Sequence, residues 1–319
     1  MPDFRTIDVG ELKLRIALEG SGPLVLMVHG FPESWYSWRH QMTPIGQAGF
    51  TAAAIDVRGY GGSDKPPAVA DYAMQRMVAD VAGAIRALSP GAPAVIVGHD
   101  WGAPIVWNSA LTRPEMVRAV AALSVPYGGV PARSFRAVYE EIFTARNRFF
   151  YQHYFQAEGV AEAELEADVR GALRRFYYAI SADGTWPNDK VVGDPLLLRL
   201  PDPDPFPAWL SSADLDYYVG EFERSGFRGP INRYRNHDAD FDWLQTFQDR
   251  KIEQPALFIG GELDPVLSMT GRGNDPLAVM KRELKDLRGA DVLPGCGHWT
   301  QQERPDEVNQ RLVAWLKGL

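Results

Sequence analysis

The stretch Gly98-His99-Asp100-Trp101-Gly102 decides the fold of this 319-residue chain. An apolar run, Ala94 to Val97, precedes it, and a run with helical spacing, Ala103 to Leu111, follows it. Glycine has no Cβ, so the two flanking glycines allow the strand and the helix to approach closely. A strand that passes through such a sharp turn into a helix exposes the central side chain of the turn. The sequence therefore predicts that Asp100 projects into a cleft above a sheet.

The central residue of this turn is an aspartate, although serine is the usual nucleophile at such a position. A serine alkoxide attacks an acyl carbon, whereas a carboxylate suits displacement at a saturated carbon and leaves an alkyl ester on the enzyme. Free N–H groups and the positive dipole end of the following helix keep a carboxylate ionised. Taken alone, the motif favours the simpler interpretation that Asp100 caps the helix. The rest of the chain favours the nucleophile.

Composition argues against several classes of protein. The net charge of −8, from 33 basic and 41 acidic residues, argues against a nucleic-acid partner. The sequence contains one cysteine, Cys296, so no intrachain disulfide can form, which fits a reducing compartment. No apolar run approaches the roughly 18 residues of a membrane span, and the N-terminus lacks the pattern of a signal peptide. We therefore expect a cytoplasmic protein without a membrane span.

The order of apolar runs and helical spacings predicts an α/β fold with an insertion. Apolar strands alternate with helix-like stretches up to residue 124, and the alternation returns at residue 255. This alternation predicts a mostly parallel sheet with helices on both faces. The predicted helices include Trp35–Ala48, Arg133–Phe149, Val160–Ile180 and Leu277–Asp286, and a short strand is predicted at Ala290–Leu293. We predict a core of residues 1–128 and 246–319 and a helical cap of residues 129–245.

Two further residues follow predicted strands in the order of a hydrolytic triad. Asp264 comes after the strand that ends at Gly261, and His298 comes after a short strand and a glycine-rich turn. Working groups of open α/β sheets lie beyond the carboxyl ends of strands, and nucleophile, acid, histidine is the chain order of α/β-hydrolase triads. We predict that His298 activates a water and that Asp264 orients it and stabilises the imidazolium. Each alone could be an ordinary loop residue, but their joint placement favours catalysis.

The motif His29-Gly30-Phe31-Pro32 lies where such folds build half of an oxyanion hole. We predict that the backbone N–H groups of Phe31 and Trp101 hold the oxyanion that forms when the ester is hydrolysed. We assign no proton transfer to His29. No pair of histidines has convincing metal-ligand spacing, and no G-x-G-x-x-G or phosphate-loop motif opens a helix. The sequence therefore predicts neither a metal nor a cofactor.

These residues together resemble the epoxide hydrolases of the α/β-hydrolase fold, and the match is close to the hydrolase domain of the soluble epoxide hydrolases of animals and plants. The resemblance covers nearly the whole chain. The matching segments are His29–Pro32, Asp56–Gly61, Gly98–Gly102 and Gly295–Trp299 in the predicted core, and Tyr151–Gln156, Ser225–Pro230 and Tyr234–Asn236 in the predicted cap. The core motifs are shared with relatives of other activity, and the cap motifs are more specific.

The resemblance implies that two cap tyrosines, Tyr151 and Tyr234, donate hydrogen bonds to an epoxide oxygen. A phenol with a pKa of about 10 is neutral at pH 7 and can donate. From the residues alone, Tyr154, Tyr177 and Tyr178 remain alternatives. The resemblance also implies that the substrate pocket is built from Phe31, Pro32, Trp101, Phe155 and Trp299.

The implied reaction has two steps and needs only an epoxide and water. Asp100 attacks an epoxide carbon and forms a hydroxyalkyl ester. Water that is deprotonated by His298 then attacks the ester carbonyl, and a vicinal diol leaves. The identity of the epoxide and the stereochemistry of the diol do not follow from the sequence, and a homodimer is one assembly compatible with it.

Two other functions are compatible with parts of this pattern. A haloalkane dehalogenase shares the aspartate and the tryptophan after it, but such enzymes often have asparagine where this chain has Phe31, which cannot donate to a halide. A non-catalytic ligand receptor can be built on the same fold, but all three predicted triad residues are present. An esterase is disfavoured because serine is absent from the turn.

Overall fold

The computed structural model describes residues 2–267 and 275–319. Its strands are β1 (Asp3–Asp8), β2 (Lys13–Gly20), β3 (Leu24–Val28), β4 (Thr51–Ile55), β5 (Ala94–His99), β6 (Val117–Leu123), β7 (Ile252–Gly261) and β8 (Leu284–Leu293). In the described residues these strands form one sheet in the order β1-β2-β4-β3-β5-β6-β7-β8. The pairs β1–β2 and β2–β4 are antiparallel and the other five are parallel, so the sheet is mostly parallel, as predicted.

Helices follow the strands and also fill the interval between β6 and β7. Three lie before β6: α1 (Arg39–Gln47), α2 (Met74–Leu88) and α3 (Gly102–Thr112). Seven lie between β6 and β7: α4 (Phe135–Ile142), α5 (Tyr151–Tyr154), α6 (Val160–Ala167), α7 (Val169–Ala179), α8 (Ser212–Ser225), α9 (Arg228–Asn232) and α10 (His237–Gln245). Those with described bounds after β7 are α11 (Pro276–Glu283), α12 (Thr300–Glu303) and α13 (Pro305–Lys317). Short 3-10 helices occupy Trp35–Trp38, Val69–Tyr72, Pro114–Met116, Thr144–Arg146 and Arg233–Asn236.

The central strands are apolar throughout because both faces of the sheet are covered. Every residue of β3 is buried, and so is every residue of β5. Alternate side chains of β3 enter two separate apolar clusters, one with Leu26 and Val28 and the other with Val25 and Met27. The first cluster includes the buried face of α2, and the second includes those of α1 and α13. A continuous apolar run is the pattern expected of a parallel strand between two helical layers.

The structure corrects three predicted helices in the first part of the chain and the inserted segment. The stretch predicted as one helix from Trp35 is a 3-10 turn followed by α1. The helix predicted from Arg133 is divided into α4, which ends at Ile142, and a 3-10 turn that ends before Asn147, whose backbone is left-handed with φ of 55°. The helix predicted for residues 160–180 is interrupted at Asp168, whose side chain accepts the Gly171 N–H and begins α7. A residue that caps the next helix has left helical backbone geometry, so it divides the run.

The helix predicted to continue to residue 286 ends at Glu283 instead. Leu284 pairs with Ile252 and begins β8, so the short strand predicted at residues 290–293 is the end of a ten-residue edge strand. Most side chains of β8 are half-buried or exposed, and polar residues alternate irregularly along it. An edge strand needs no apolar periodicity, because its pairing with β7 determines its conformation.

The segment between β6 and β7 packs on the loops that follow β3 and β8. The Tyr177 hydroxyl donates a 2.5 Å hydrogen bond to the Pro32 carbonyl oxygen after β3. The Trp299 indole N–H donates to the Tyr177 carbonyl oxygen at 2.7 Å, and the His298 N–H donates to the Ile180 carbonyl oxygen at 3.0 Å. The division into a core and a cap at residues 129–245 stays a prediction. Within the described ranges, none of the helices has the length and apolarity needed to cross a bilayer.

Candidate active site

Asp100 sits in the turn between β5 and α3 with a left-handed backbone, φ of 48°. A Cβ on Gly98 would lie 2.2 Å from the Gly102 carbonyl oxygen, and one on Gly102 would lie 2.0 Å from the Val28 carbonyl oxygen. A Cβ on Gly30 would lie 2.3 Å from Oδ1 of Asp100. Real side chains do not tolerate such distances, so glycine at these three positions lets the carboxylate stand clear of the sheet.

The Asp100 carboxylate is held from two sides. Its Oδ1 accepts the Phe31 N–H at 2.8 Å, and its Oδ2 lies 3.4 Å from Nε2 of His298. Burial by itself raises the pKa of this carboxyl, but His298, His99 and the Phe31 N–H together hold it below its usual value. Asp100 is therefore an anion at neutral pH, with one oxygen bound by an amide and the other facing an imidazole.

His298 lies between the two carboxylates of the site, those of Asp100 and Asp264. Its Nδ1 lies 3.0 Å from Oδ2 of Asp264, and both side chains are almost fully buried. Asp264 is oriented in turn, since its Oδ1 accepts the Val266 N–H at 2.8 Å. Burial lowers the pKa of His298, but the carboxylates of Asp264 and Asp100 outweigh it and place the pKa well above its ordinary value. The three residues predicted from three separate strands thus meet at one point.

Two phenols face the same cavity as Asp100. Tyr151 and Tyr234 both line it, with ring centroids 5.8 Å apart. The Tyr151 hydroxyl accepts a 2.8 Å hydrogen bond from Nε2 of Gln152. Burial raises the pKa of both phenols, and the nearby charge of Asp100 raises it further. Both hydroxyls therefore keep their protons at neutral pH.

The other predicted tyrosines are engaged elsewhere. The Tyr154 hydroxyl donates to Glu164 at 2.7 Å, and the Tyr177 hydroxyl donates to the Pro32 carbonyl oxygen. The ring of Tyr178 packs on Phe206, with centroids 6.3 Å apart. None of the three is among the described residues that line the cavity. The geometry therefore favours Tyr151 and Tyr234 over these alternatives.

His29 has a structural role in this arrangement. Its Nε2 accepts the Val57 N–H at 3.0 Å, so its Nδ1 carries the proton and donates to the Gly30 carbonyl oxygen at 2.9 Å. Burial lowers its pKa, although Asp56, Glu33 and Asp100 oppose the effect. A neutral imidazole with both nitrogens occupied agrees with the prediction that His29 transfers no proton.

His99 and Glu33 form a buried pair behind the site that the sequence did not predict. His99 Nδ1 lies 2.9 Å from Oε2 of Glu33, and His99 Nε2 lies 2.8 Å from the His298 carbonyl oxygen. Glu33 also accepts the Gly30 N–H at 2.6 Å and a hydrogen bond from Gln301 at 3.1 Å. The glutamate directly follows the predicted oxyanion motif, but its partner comes from another strand, so no local spacing reveals the contact.

A cavity of about 300 Å³ opens above Asp100. Its described lining is mostly aromatic and includes Phe31, Phe143, Phe149, Phe150, Tyr151, Phe176, Ile180, Trp186, Tyr234, Val266 and His298. Of the five residues predicted to form the pocket, the described lining includes Phe31 and omits Pro32, Trp101, Phe155 and Trp299.

The four omitted residues lie behind the wall and support it. The rings of Phe155 and Trp101 pack on Tyr234, at centroid distances of 4.9 and 5.1 Å. Trp299 packs on His298 at 4.8 Å, and the Pro32 carbonyl oxygen accepts the Tyr177 hydroxyl. These residues were predicted from the resemblance, because they lie in the matching segments, but side-chain direction decides which of them reach the cavity.

The sequence analysis also missed residues that do reach the cavity. Trp186, Asn188 and Lys190 line it from an irregular segment between α7 and α8, and Arg148 lines it from the segment before α5. Irregular segments carry no periodic signal, so no pattern could have identified these side chains. In residues 2–267 and 275–319, no cluster of three or more histidine, cysteine, aspartate or glutamate side chains could hold a metal ion.

Comparison with known proteins gives consistent results. A family model described as the alpha/beta hydrolase fold matches residues 23–305. Epoxide hydrolase A of Mycobacterium tuberculosis is 40% identical over 100% of this chain and 98% of the relative. Bifunctional epoxide hydrolase 2 of Rattus norvegicus is 39% identical over 96% of this chain and 54% of the relative. The solved structure of an epoxide hydrolase from an endophytic Streptomyces superimposes with a TM-score of 0.93, at 47% identity over 99% of this chain and 96% of that one.

Proposed function

Because this chain belongs to the α/β-hydrolase fold family and is an epoxide hydrolase, we propose that it opens its substrate through a hydroxyalkyl ester on Asp100. The observation that carries the proposal is the placement of this carboxylate between the Phe31 N–H and His298, with Asp264 behind the imidazole. An ionised nucleophile, a base and a residue that orients the base are the parts that covalent hydrolysis requires.

In the first step, Oδ2 of Asp100 attacks an epoxide carbon. A C–O bond to the enzyme forms, the ring C–O bond breaks, and negative charge develops on the former ring oxygen. Tyr151 and Tyr234 donate hydrogen bonds to this oxygen, and one of the two phenols transfers its proton to it and becomes a phenolate. Their raised pKa values support this role, because a phenol must be protonated in order to donate. Charge stabilisation of this kind contributes strongly in a site that excludes water.

In the second step, His298 removes a proton from a water that attacks Cγ of Asp100. The carbonyl oxygen of the ester is Oδ1, which already accepts the Phe31 N–H, so this amide is in place to hold the oxyanion. We propose that the Trp101 N–H, at the start of α3, is the second donor. The bond between Cγ and Oδ2 then breaks, and the His298 imidazolium gives its proton to Oδ2 as the diol leaves with that oxygen. The proton of the regenerated Asp100 carboxyl group restores the phenol.

Formation of the ester prepares His298 for its role. In the free enzyme, the charges of Asp264 and Asp100 both raise the pKa of His298. Esterification removes the charge of Asp100, so one of these two influences disappears and the pKa of His298 falls. The imidazole thus becomes more available as a neutral base only after the intermediate has formed.

Oxygen-18 water distinguishes this route from direct attack of water on the epoxide. In a single turnover with excess enzyme, we expect the label in the Asp100 carboxylate and none in the diol, because the diol takes its new oxygen from the enzyme. Mass spectrometry of the peptide that contains Asp100 and of the diol measures both quantities. Label in the diol of the first turnover would overturn the ester.

We also propose that residues 129–245 act as a cap, because Tyr151 and Tyr234 belong to that segment while Asp100, Asp264 and His298 belong to the sheet loops. Limited proteolysis that cuts near residues 128 and 246 before it cuts elsewhere would support these boundaries. A cytoplasmic location and a homodimer stay predictions from the sequence.

A further inference from the structure

Lys190 is a buried cation on the wall of the substrate cavity. It is only 3% exposed, and it is among the residues that line the cavity. Its ammonium donates a 2.7 Å hydrogen bond to the Leu196 carbonyl oxygen and lies 3.8 Å from the centre of the Phe149 ring. Both contacts are favourable for a cation, but neither partner carries a negative charge. The ammonium therefore has hydrogen-bonding capacity and charge that these contacts leave unused.

The two carboxylates that raise the pKa of Lys190 are bound to other groups. Glu164 accepts the Leu196 N–H at 2.9 Å, and Asp194 lies 3.2 Å from the Arg199 guanidinium. No ion pair within 4.0 Å involves Lys190 in the part of the chain that the structure describes. Burial lowers the pKa of Lys190 to about 8, and Arg199 adds to this effect while Glu164 and Asp194 oppose it. The side chain is consequently still a cation at pH 7.

Charge is unevenly distributed along the cavity wall. Among the described lining residues the only carboxylate is that of Asp100, and the two cations besides His298 are Arg148 and Lys190. A cation this deeply buried without a counter-ion is costly, and a bound anion would offset that cost. The chain as a whole carries a net charge of −8, so a cationic wall is a local feature rather than a reflection of composition.

Trp186 relates this cation to the phenols of the reacting centre. The Trp186 ring lies 6.4 Å from the Tyr151 ring and 5.8 Å from the Lys190 ammonium. The Phe149 N–H donates to the Lys190 carbonyl oxygen at 3.0 Å, which fixes the two wall segments side by side. One aromatic ring is thus close to both the Tyr151 phenol and the ammonium, so a short apolar spacer in a substrate can match their separation.

We propose that Lys190, assisted by Arg148, forms an anion subsite and that the preferred substrate is an epoxide with a carboxylate beyond an apolar spacer. The inference rests on the proposed function, because it takes the oxirane to lie between Asp100 and the phenols. The carboxylate accepts a charge-assisted hydrogen bond from the ammonium. The subsite also offsets the repulsion between the Asp100 carboxylate and an anionic substrate.

The test compares substrates that differ in charge and are nearly equal in shape. We measure kcat/KM at pH 7 for 4-(oxiran-2-yl)benzoate and 4-(oxiran-2-yl)benzamide, and for homologues with one or two methylene groups between ring and carbonyl carbon. We expect the acid to exceed the amide by about ten-fold or more for at least one spacer, mainly through a lower KM. An amide that equals or exceeds its acid at every spacer would overturn the subsite.

Variants of Lys190 test whether this residue causes the preference for the acid over the amide. Lys190→Met should reduce the ratio of acid to amide by about ten-fold, and Lys190→Arg should retain most of it. Lys281→Met removes one exposed positive charge from α11 and is the matched control, for which the ratio should equal that of the parent. If Lys190→Met lowers kcat/KM equally for the acid and the amide, Lys190 only supports the cavity wall and the proposal fails. Because the ratio is measured within one protein preparation, partial misfolding does not alter it.

A binding measurement separates this proposal from the proposed function. Inhibition or calorimetric titration with 4-ethylbenzoate and 4-ethylbenzamide, which have no oxirane, reports the subsite without any chemistry at Asp100. Tighter binding of the benzoate by the parent, lost in Lys190→Met, supports the subsite even if the ester route fails. Equal binding of the two compounds, with normal turnover of the benzamide epoxide, rejects the subsite and leaves the ester route intact.

Discussion

The Phe31 N–H donates a 2.8 Å hydrogen bond to Oδ1 of Asp100. The carboxylate oxygen that becomes the carbonyl oxygen of the proposed ester is thus already in contact with the amide that must stabilise it during hydrolysis. The other oxygen, 3.4 Å from His298, is the one left to attack. The two oxygens of one side chain therefore have separate roles before any substrate arrives, and the following expectations depend on this separation.

Replacement of Asp100 by asparagine should abolish turnover. Asparagine is the conservative choice because it tolerates the left-handed φ of 48° at this turn and retains an oxygen for the Phe31 N–H. We expect kcat to fall by about 10³-fold or more, since the nucleophile is lost. Steady-state hydrolysis of styrene oxide checks this, with circular dichroism as the control for folding. A folded variant with parental kcat would show that Asp100 is not the nucleophile.

His298→Gln should stop the reaction at the ester. The first step needs the Asp100 carboxylate and the phenols, whereas the second needs a base, so the intermediate should accumulate to about one equivalent per enzyme. Intact-mass spectrometry after mixing with substrate should show an increase equal to the mass of the epoxide. The adduct should map to the peptide that contains Asp100. Absence of any adduct, with a substrate that the parent hydrolyses, would contradict the two-step route.

Removal of one phenol should slow ester formation much more than hydrolysis. Tyr151→Phe and Tyr234→Phe each delete one donor to the epoxide oxygen, which should cost about 10²-fold in the rate of alkylation. The double variant should be slower still. Rapid-quench mass spectrometry of single turnovers measures the rate directly. Tyr178→Phe serves as the control, because its ring packs on Phe206 away from the cavity, and it should react at the parental rate.

The two steps should respond differently to pH. The pKa of Asp100 is lowered and those of the phenols are raised, so alkylation should stay constant across the neutral range. Hydrolysis needs neutral His298 in the esterified enzyme, where Asp264 still raises the pKa of the imidazole but Asp100 no longer does, so its rate should fall as pH decreases through that pKa. Single-turnover rates of both steps between about pH 5 and 9 test this. A shared acid limb in both steps would show that a different group controls the reaction.

Gly98→Ala should destabilise the whole protein. The new methyl group would lie 2.2 Å from the Gly102 carbonyl oxygen, and backbone cannot move aside as a flexible side chain can. We expect a loss of about 2 kcal/mol or more in the free energy of unfolding, measured by urea denaturation. Gly128→Ala is the matched control, because a Cβ there meets no atom within 4 Å. Equal stability of the two variants would mean that the turn can relax.

The sequence predicted the reacting centre better than the pocket, for a physical reason. Asp100, Asp264 and His298 each follow a strand of the parallel part of the sheet, and a parallel sheet brings the carboxyl ends of its strands together. Their meeting is thus a consequence of periodicity and order along the chain. Lys190 and Trp186 lie in irregular backbone. The direction of Lys190 depends on Phe149 and Leu196, that of Trp186 depends on Tyr151 and Phe176, and no spacing along the chain encodes these contacts.

The errors in secondary structure have a similar origin. Asp168 divides a predicted helix because its side chain binds the Gly171 N–H, which is a local choice between two favourable hydrogen bonds. Leu284 begins a strand because β7 supplies a partner, and its own neighbours in sequence do not indicate this. Alternating apolar runs predicted the central sheet correctly. The β8 edge depended on a tertiary contact, and the division of the inserted helix depended on a local side-chain hydrogen bond.

Helix α7 is joined to both sides of the reacting centre. The Tyr177 hydroxyl donates to Pro32, the Trp299 indole N–H donates to the Tyr177 carbonyl oxygen, and the His298 N–H donates to the carbonyl oxygen of Ile180 directly after the helix. Because α7 is anchored in this way, it cannot move away from the sheet without displacing the His298 imidazole. We therefore expect the substrate to enter and the diol to leave past the irregular segments that contain Trp186 and Arg148. Loosening α7 should disturb the alignment of the histidine before it widens the route to the solvent.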